Sequence, residues 1–195
     1  MRTRSVLLAF GFAVFLFPSL GKGQTVSTQE SQKIDNEFVQ QAFGKDFTIV
    51  PEVGGMVGDL DGDGIADVVI AARCKNPLLD EAEHNYFVID PYYTFFGYGD
   101  PKVTTSFVDD NQVRRGLVVL IIHGAGPEAW RASNPKAKFV MINLPYMALS
   151  VRRMRVGKKV VDAIYCEEGN ALHESSAVFF DGKKYKYVPM GSSME

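Results

Sequence analysis

The residues best suited to chemistry form one acidic stretch, Asp59-Leu-Asp-Gly-Asp-Gly-Ile-Ala-Asp67, in a chain of 195 residues. The stretch places carboxylates at alternating positions, and its glycines allow the backbone to curl. Calcium takes about six to eight oxygen ligands at roughly 2.3–2.6 Å, so a loop with this spacing can wrap the ion. We therefore predict a calcium site made by the side chains of Asp59, Asp61, Asp63 and Asp67 and the backbone carbonyl of Ile65.

The alternative interpretation of this stretch is an acidic β-turn without a metal, because Asp-Gly is also a strong hairpin signal. Crowded like charges favour the metal. A helix-loop-helix calcium hand would need a glutamate at the twelfth position of the loop. That position is Ile70, and the residues after Asp67 are an apolar, β-branched run typical of a strand. We therefore predict that the loop joins two strands, in a hairpin that covers residues 57–72.

The string from Gly58 to Ile70 resembles the calcium-binding hairpin of integrin α-chain repeats, also called FG-GAP or VCBS repeats. In that family a D-x-D-x-D-G-x-x-D loop links two strands of a propeller blade. The resemblance implies that calcium stiffens the hairpin and takes no part in catalysis. The motif occurs once in this chain, whereas a propeller needs roughly four or more blades. We therefore expect a single blade-like hairpin without the full propeller.

Residues 1–23 have the features of an export signal, since Arg2 and Arg4 precede an apolar run over residues 6–17. That run is too short to span a bilayer, which takes about 20 apolar residues. We therefore predict a secreted or periplasmic protein that begins near Gln24 and has no membrane span after cleavage. Cleavage would remove 3 of 21 basic residues and none of the 23 acidic ones, which leaves a formal net charge of −5. A nucleic-acid partner is not expected, because it would require a basic surface.

Residues 24–195 are predicted to form one β-rich globular domain that contains the calcium hairpin. Short runs of β-branched and aromatic residues recur at close spacing, which is typical of antiparallel sheets. A helix is predicted at about residues 29–43, ending near Gly44, from apolar positions at helical spacing after Ser27. The predicted fold class is β-rich α+β, with an antiparallel or mixed sheet and a short N-terminal helix. The predicted strands cover residues 47–50, 56–57, 68–72, 86–89, 103–108, 117–122, 139–144, 160–165, 176–180 and 184–188.

The cysteines of the chain are Cys74 and Cys166. In an oxidising compartment the default expectation is that they form a disulfide. The alternative is a pair of buried free thiols, because pairing cannot be deduced from spacing alone.

An aromatic run, Tyr92-Tyr-Thr-Phe-Phe-Gly-Tyr98, is unusually dense. Exposed rings of this kind line peptide and carbohydrate grooves, so a protein or saccharide ligand of unknown identity is one interpretation. Core packing in an aromatic-rich β protein is the other.

An enzymatic alternative rests on the buried apolar strand that runs into His123-Gly-Ala-Gly126, which resembles the oxyanion loop of α/β-hydrolases. That family also needs a G-x-S-x-G nucleophile elbow, and the chain has none. His173 beside Ser175 is the other pair that could act as base and nucleophile. We therefore predict a non-catalytic calcium-binding β module with a structural or binding role. The alternative is a small secreted hydrolase that uses the His123–Gly124 turn.

Overall fold

The computed structural model describes residues 33–98, 115–168 and 176–190. The predicted export signal and the strand predicted at residues 103–108 lie outside these ranges, and no helix inside them is long and apolar enough to cross a membrane. The strands are β1 (Thr48–Ile49), β2 (Gly55–Gly58), β3 (Asp67–Arg73), β4 (Phe87–Ile89), β5 (Leu117–His123), β6 (Ala137–Met141), β7 (Ala148–Val156), β8 (Lys159–Glu167), β9 (Ser176–Phe180) and β10 (Tyr185–Pro189). The helices are α1 (Asn36–Phe43), α2 (Glu81–His84), α3 (Pro91–Phe95) and a 3₁₀ segment (Gly126–Arg131).

Strands β1 to β6 form a mixed sheet, called here the central sheet, in the order β1-β3-β5-β6-β4, with β2 also paired to β3. All its pairings are antiparallel except that of β4 with β6. β3 and β5 pair along their length, from Val68 opposite Ile122 to Arg73 opposite Leu117. Nearly every residue of both strands is buried. Burial on both faces explains why these strands read as continuous apolar runs and not as alternating ones.

Strands β7 to β10 form an antiparallel meander, called here the outer sheet. The hairpin predicted at Asp181-Gly182 joins β9 to β10, and Gly182 has the positive φ, +97°, that such a turn favours. β7 was not predicted from the sequence. Its first four residues are half-buried, and the arginines of its basic cluster are exposed.

The central sheet lies between α1 on one face and the outer sheet on the other. Neighbouring residues of a strand point to opposite faces. Val68 and Ile70 therefore pack with Phe43 of α1, whereas Val69 packs with Ile164 of the outer sheet. The described residues thus form a β-rich fold with a few short helices and two open sheets, and these sheets do not close into a propeller.

Helix α1 begins later than predicted. Residues 33–35 are not helical, and Asp35 is the N-cap, with its Oδ1 accepting the Phe38 N–H at 3.0 Å. The predicted start near residue 29 is therefore wrong, because Asp35 caps the helix instead. The end at Gly44, with φ +117°, is as predicted.

The two cysteines form no disulfide and lie in different cores. Cys74 packs on the α1 side of the central sheet, and Cys166 packs on the outer-sheet side. The expected disulfide is therefore not formed, because the sheet separates the two thiols. Burial raises the pKa of each thiol to about 12, which keeps both protonated.

The aromatic run forms α3 and the turn after it, and it rests on β10. The Tyr92 ring lies 5.1 Å from the Tyr187 ring and packs against the outer-sheet core. Phe95 and Phe96 are each 50% exposed, and Tyr98 is 68% exposed. Core packing therefore accounts for only part of the run.

Candidate metal centre

The acidic loop, residues 59–67, connects β2 to the first residue of β3. Gly58 pairs with Asp67 across the antiparallel ladder, so the loop joins two strands as predicted. Gly62 and Gly64 have φ of +73° and +86°, a left-handed conformation that glycine adopts without strain. These two positions curl the backbone so that the aspartates can face one another.

The aspartates at the start of the acidic loop hold its backbone. The Asp59 carboxylate accepts the N–H groups of Asp63 and Gly64, both at 3.0 Å. The Asp63 Oδ1 atom accepts the Ile65 N–H at 2.8 Å. These bonds place carboxylate oxygens on the inner side of the turn.

Three of the four predicted carboxylates converge on one point. Asp59, Asp61 and Asp67 each present an oxygen, and these oxygens lie within 4.8 Å of one another. Asp63 is outside this group and Ile65 offers only its carbonyl, so both remain ligands by prediction. An all-oxygen set of this kind matches the preference of calcium.

Asp67 is the most buried of the aspartates, with 1% of its surface exposed. Its Oδ2 atom accepts the Leu60 N–H and its Oδ1 atom accepts the Gly124 N–H, each at 2.8 Å. Burial raises its pKa to about 6, although these hydrogen bonds favour the charged form. The same carboxylate still contributes an oxygen to the cluster with Asp59 and Asp61.

Lys136 supplies a positive charge that the sequence did not reveal. Its Nζ atom lies 2.5 Å from Asp61 Oδ2 and 3.1 Å from Asp63 Oδ2, and the hydrogen bonds to Asp61 and Asp63 raise its pKa. Burial raises the pKa of Asp63, but the Ile65 N–H and the ammonium outweigh it, so the net shift is downward. Lys136 is 75 residues from Asp61 in sequence, and only the pairing of β6 with β5 brings it to the loop.

His123 is buried between the acidic loop and the outer sheet, with 2% of its surface exposed. Its Nε2 atom lies 2.6 Å from the Tyr185 hydroxyl, and its Nδ1 atom lies 3.6 Å from Asp61 Oδ2. Burial lowers its pKa, and the nearby Asp61 charge opposes the shift. The rings of Phe139 and Phe180 pack against it at 5.2 and 5.1 Å. His123 is therefore a packed, hydrogen-bonded side chain.

The Gly124 N–H of the same turn is already hydrogen-bonded within the protein. An oxyanion hole requires N–H groups that are available to a substrate oxygen. The Gly124 N–H instead donates to Asp67. The polar partners of His123 are a phenol and a carboxylate, and within the described ranges no serine or cysteine hydrogen-bonds to a histidine. His173 and Ser175 lie outside the described residues.

The acidic loop is tied to both sheets. The Asp59 N–H donates to Asp162 Oδ2 at 2.8 Å, and the Asp162 N–H donates back to the Asp59 carbonyl at 3.0 Å. Asp162 belongs to β8 of the outer sheet, whereas the Asp67–Gly124 bond reaches the end of β5 in the central sheet. Leu60, between these anchors, is 1% exposed and packs in the core between the sheets. The loop therefore links the two layers.

Comparison with known proteins finds no match: no family model, no curated protein and no solved structure is similar to this chain. The resemblance to the FG-GAP hairpin therefore rests on residues 58–70 alone. The acidic loop and its surroundings are what bear on function.

Proposed function

We propose that the protein is an exported, non-catalytic β module whose acidic loop binds one calcium ion. The observation that carries the proposal is the convergence of Asp59, Asp61 and Asp67 oxygens on a loop that is anchored in both sheets. Export is inferred from the signal-like residues 1–23. The ion has a structural role in this proposal, because the loop links two layers and the Gly124 N–H of the neighbouring turn donates to Asp67 of the loop.

The charge of the loop supports a bound cation. Four aspartates lie within the acidic loop, and Lys136 contacts two of them, Asp61 and Asp63. One ammonium cannot neutralise four carboxylates, so a divalent cation would relieve the remaining repulsion. The oxygen-only donor set favours calcium over zinc, which prefers histidine and cysteine ligands. Asp63 and the Ile65 carbonyl complete the proposed ligand set by their positions in the motif.

Titration calorimetry tests this proposal directly. The purified exported chain, stripped with EDTA and dialysed, is titrated with CaCl₂ and separately with MgCl₂. We expect one calcium per chain with a dissociation constant of roughly 10⁻⁵–10⁻³ M, and weaker magnesium binding. The thermal midpoint should rise with calcium, because a ligand that binds only the folded state stabilises it.

The matched variant for this titration is Asp59→Asn, which removes one charge and keeps the shape of the side chain. We expect it to abolish the calcium heat and the calcium-dependent rise in thermal midpoint. A wild-type chain that gives no heat, with the same thermal midpoint in calcium and in EDTA, would contradict the proposal and leave the acidic-turn interpretation.

Replacement of Lys136 by methionine is expected to tighten calcium binding about three- to ten-fold. The ammonium and the calcium compete for Asp61 and Asp63, and each half-exposed ion pair is worth about 0.2–1 kcal/mol. Calorimetry on K136M measures the change. Lys158→Met is the control, because it removes the same charge from an exposed turn of the outer sheet. Equal affinities in the two variants would mean that Lys136 does not compete with the ion.

A further inference from the structure

A pocket of about 500 Å³ opens at the edge of the central sheet. It lies among the edge strand β4, the start of α3, Phe139 of β6 and the turn between β9 and β10. Its volume falls in the range of about 300–1,000 Å³ that small-molecule sites occupy. None of the acidic-loop residues lines it.

Aromatic rings form the apolar part of this pocket. The rings of Phe87 and Phe139 lie 5.9 Å apart, and the ring of Tyr185 lies 5.3 Å from that of Phe139. Phe87 is 57% exposed although it lies in a β-strand. An exposed phenylalanine beside one half-buried and one buried ring offers a surface on which a planar ring can stack or pack edge-on.

The charged residues that line the pocket are Asp90, Lys183 and Lys184. Asp90 is 5% exposed, and its oxygens accept the Tyr93 N–H at 2.9 Å and the Asn143 amide at 2.5 Å. Asp90 therefore caps α3 and orients Asn143, so its carboxylate is occupied within the protein. The cationic groups that line the pocket are the two exposed lysines.

The turn that carries the two lysines is fixed. The N–H groups of Lys183 and Lys184 both donate to Asp181 Oδ1, at 2.9 and 3.0 Å. The Asp181 Oδ2 atom pairs with the Lys186 ammonium at 2.9 Å, so another residue neutralises that carboxylate. Lys183 and Lys184 thus stand at the rim of an aromatic pocket on a chain that carries a net negative charge.

We propose that this pocket binds a small aromatic carboxylate, with its ring packed among Phe87, Phe139 and Tyr185 and its carboxylate at Lys183 and Lys184. Aromatic walls favour a planar ring over a flexible acyl chain, since paired rings gain energy beyond the area they bury. The ammonium groups of these two lysines favour an anion over a neutral ligand. The site does not require calcium.

Calorimetry in EDTA tests the ligand class, with 3-phenylpropionate as the probe. Two further compounds are compared: 3-phenylpropanol, which keeps the ring without the charge, and octanoate, which keeps the charge without the ring. We expect the probe to bind with an affinity of about millimolar or tighter, and the other two to bind at least about three-fold more weakly. Absence of probe binding overturns the site. Equal binding of the alcohol overturns the anion preference, and equal or tighter binding of octanoate overturns the aromatic one. Because EDTA is present, these outcomes do not depend on the calcium proposal.

Paired variants locate the binding. We expect the double substitution Lys183→Ala and Lys184→Ala to weaken probe binding about three- to ten-fold. Lys158→Ala with Lys159→Ala removes the same charge from the β7–β8 hairpin of the outer sheet and should have no effect.

Phe87→Ala should weaken binding by a similar factor, whereas Phe95→Ala removes an equally exposed ring outside the pocket and should not. Near-UV circular dichroism confirms that each variant is folded. Unchanged affinity in both the lysine and the Phe87 variants would place the ligand elsewhere and overturn the proposal.

Discussion

Replacement of Asp67 by alanine is expected to lower the free energy of unfolding by about 2–4 kcal/mol, even with EDTA present. The carboxylate accepts the N–H groups of Leu60 and Gly124, and all three residues lie in the interior between the acidic loop and β5. Alanine leaves both donors without that acceptor and opens a small cavity, and an unsatisfied buried donor costs about 1–3 kcal/mol. Urea unfolding followed by circular dichroism measures the change.

Asp63→Ala is the matched control, because it removes a carboxylate of the same loop from a side chain that is 28% exposed. In EDTA we expect it to cost about 1 kcal/mol or less, since its lost partners are the Ile65 N–H and a half-exposed ammonium. In calcium both variants should lose the stabilisation that the ion gives. Equal losses for the two variants in EDTA would show that Asp67 does not hold the loop to β5.

The sequence distinguished the acidic loop but not the roles within it. The alternating aspartates, the glycines and the strand-like run after Asp67 predicted a strand-loop-strand connection, and that connection is present. From spacing alone the aspartates look equivalent. What separates Asp67 from Asp63 is burial against β5, which depends on strand pairing across more than fifty residues. Lys136 and Asp162 also contact the loop from distant parts of the chain, so no local pattern could have identified them.

The strands that were predicted well are those that are buried along nearly their whole length. β3 and β5 are buried on both faces and read as continuous apolar runs. β7 was missed because none of its residues is fully buried and it contains three exposed arginines, so it shows neither an apolar run nor a regular alternation. Phe87 and Phe95 are exposed in spite of their hydrophobicity, and composition alone assigns such residues to a core. The pocket therefore could not be predicted from the sequence, since its walls come from separate elements.

Replacement of Gly124 by alanine is expected to lower the free energy of unfolding by about 3 kcal/mol or more. A Cβ atom at this position would overlap the Ala66 carbonyl oxygen and lie 2.7 Å from the Ala129 carbonyl carbon. Both neighbours are backbone atoms, so the loop and the 3₁₀ segment would have to move apart, and the bond from the Gly124 N–H to Asp67 would be strained. Urea unfolding of G124A measures the cost.

Gly126→Ala is the control for this substitution, because the two glycines share the turn that resembles a hydrolase loop and differ in their surroundings. Gly126 has φ +60°, and a Cβ atom added there would have no neighbour within 4 Å, so alanine costs only backbone strain of about 1–2 kcal/mol. A larger loss for G124A would mean that the His-Gly-x-Gly turn exists to let the acidic loop approach β5 closely. Equal losses would remove that explanation and reopen the question of why glycine follows His123.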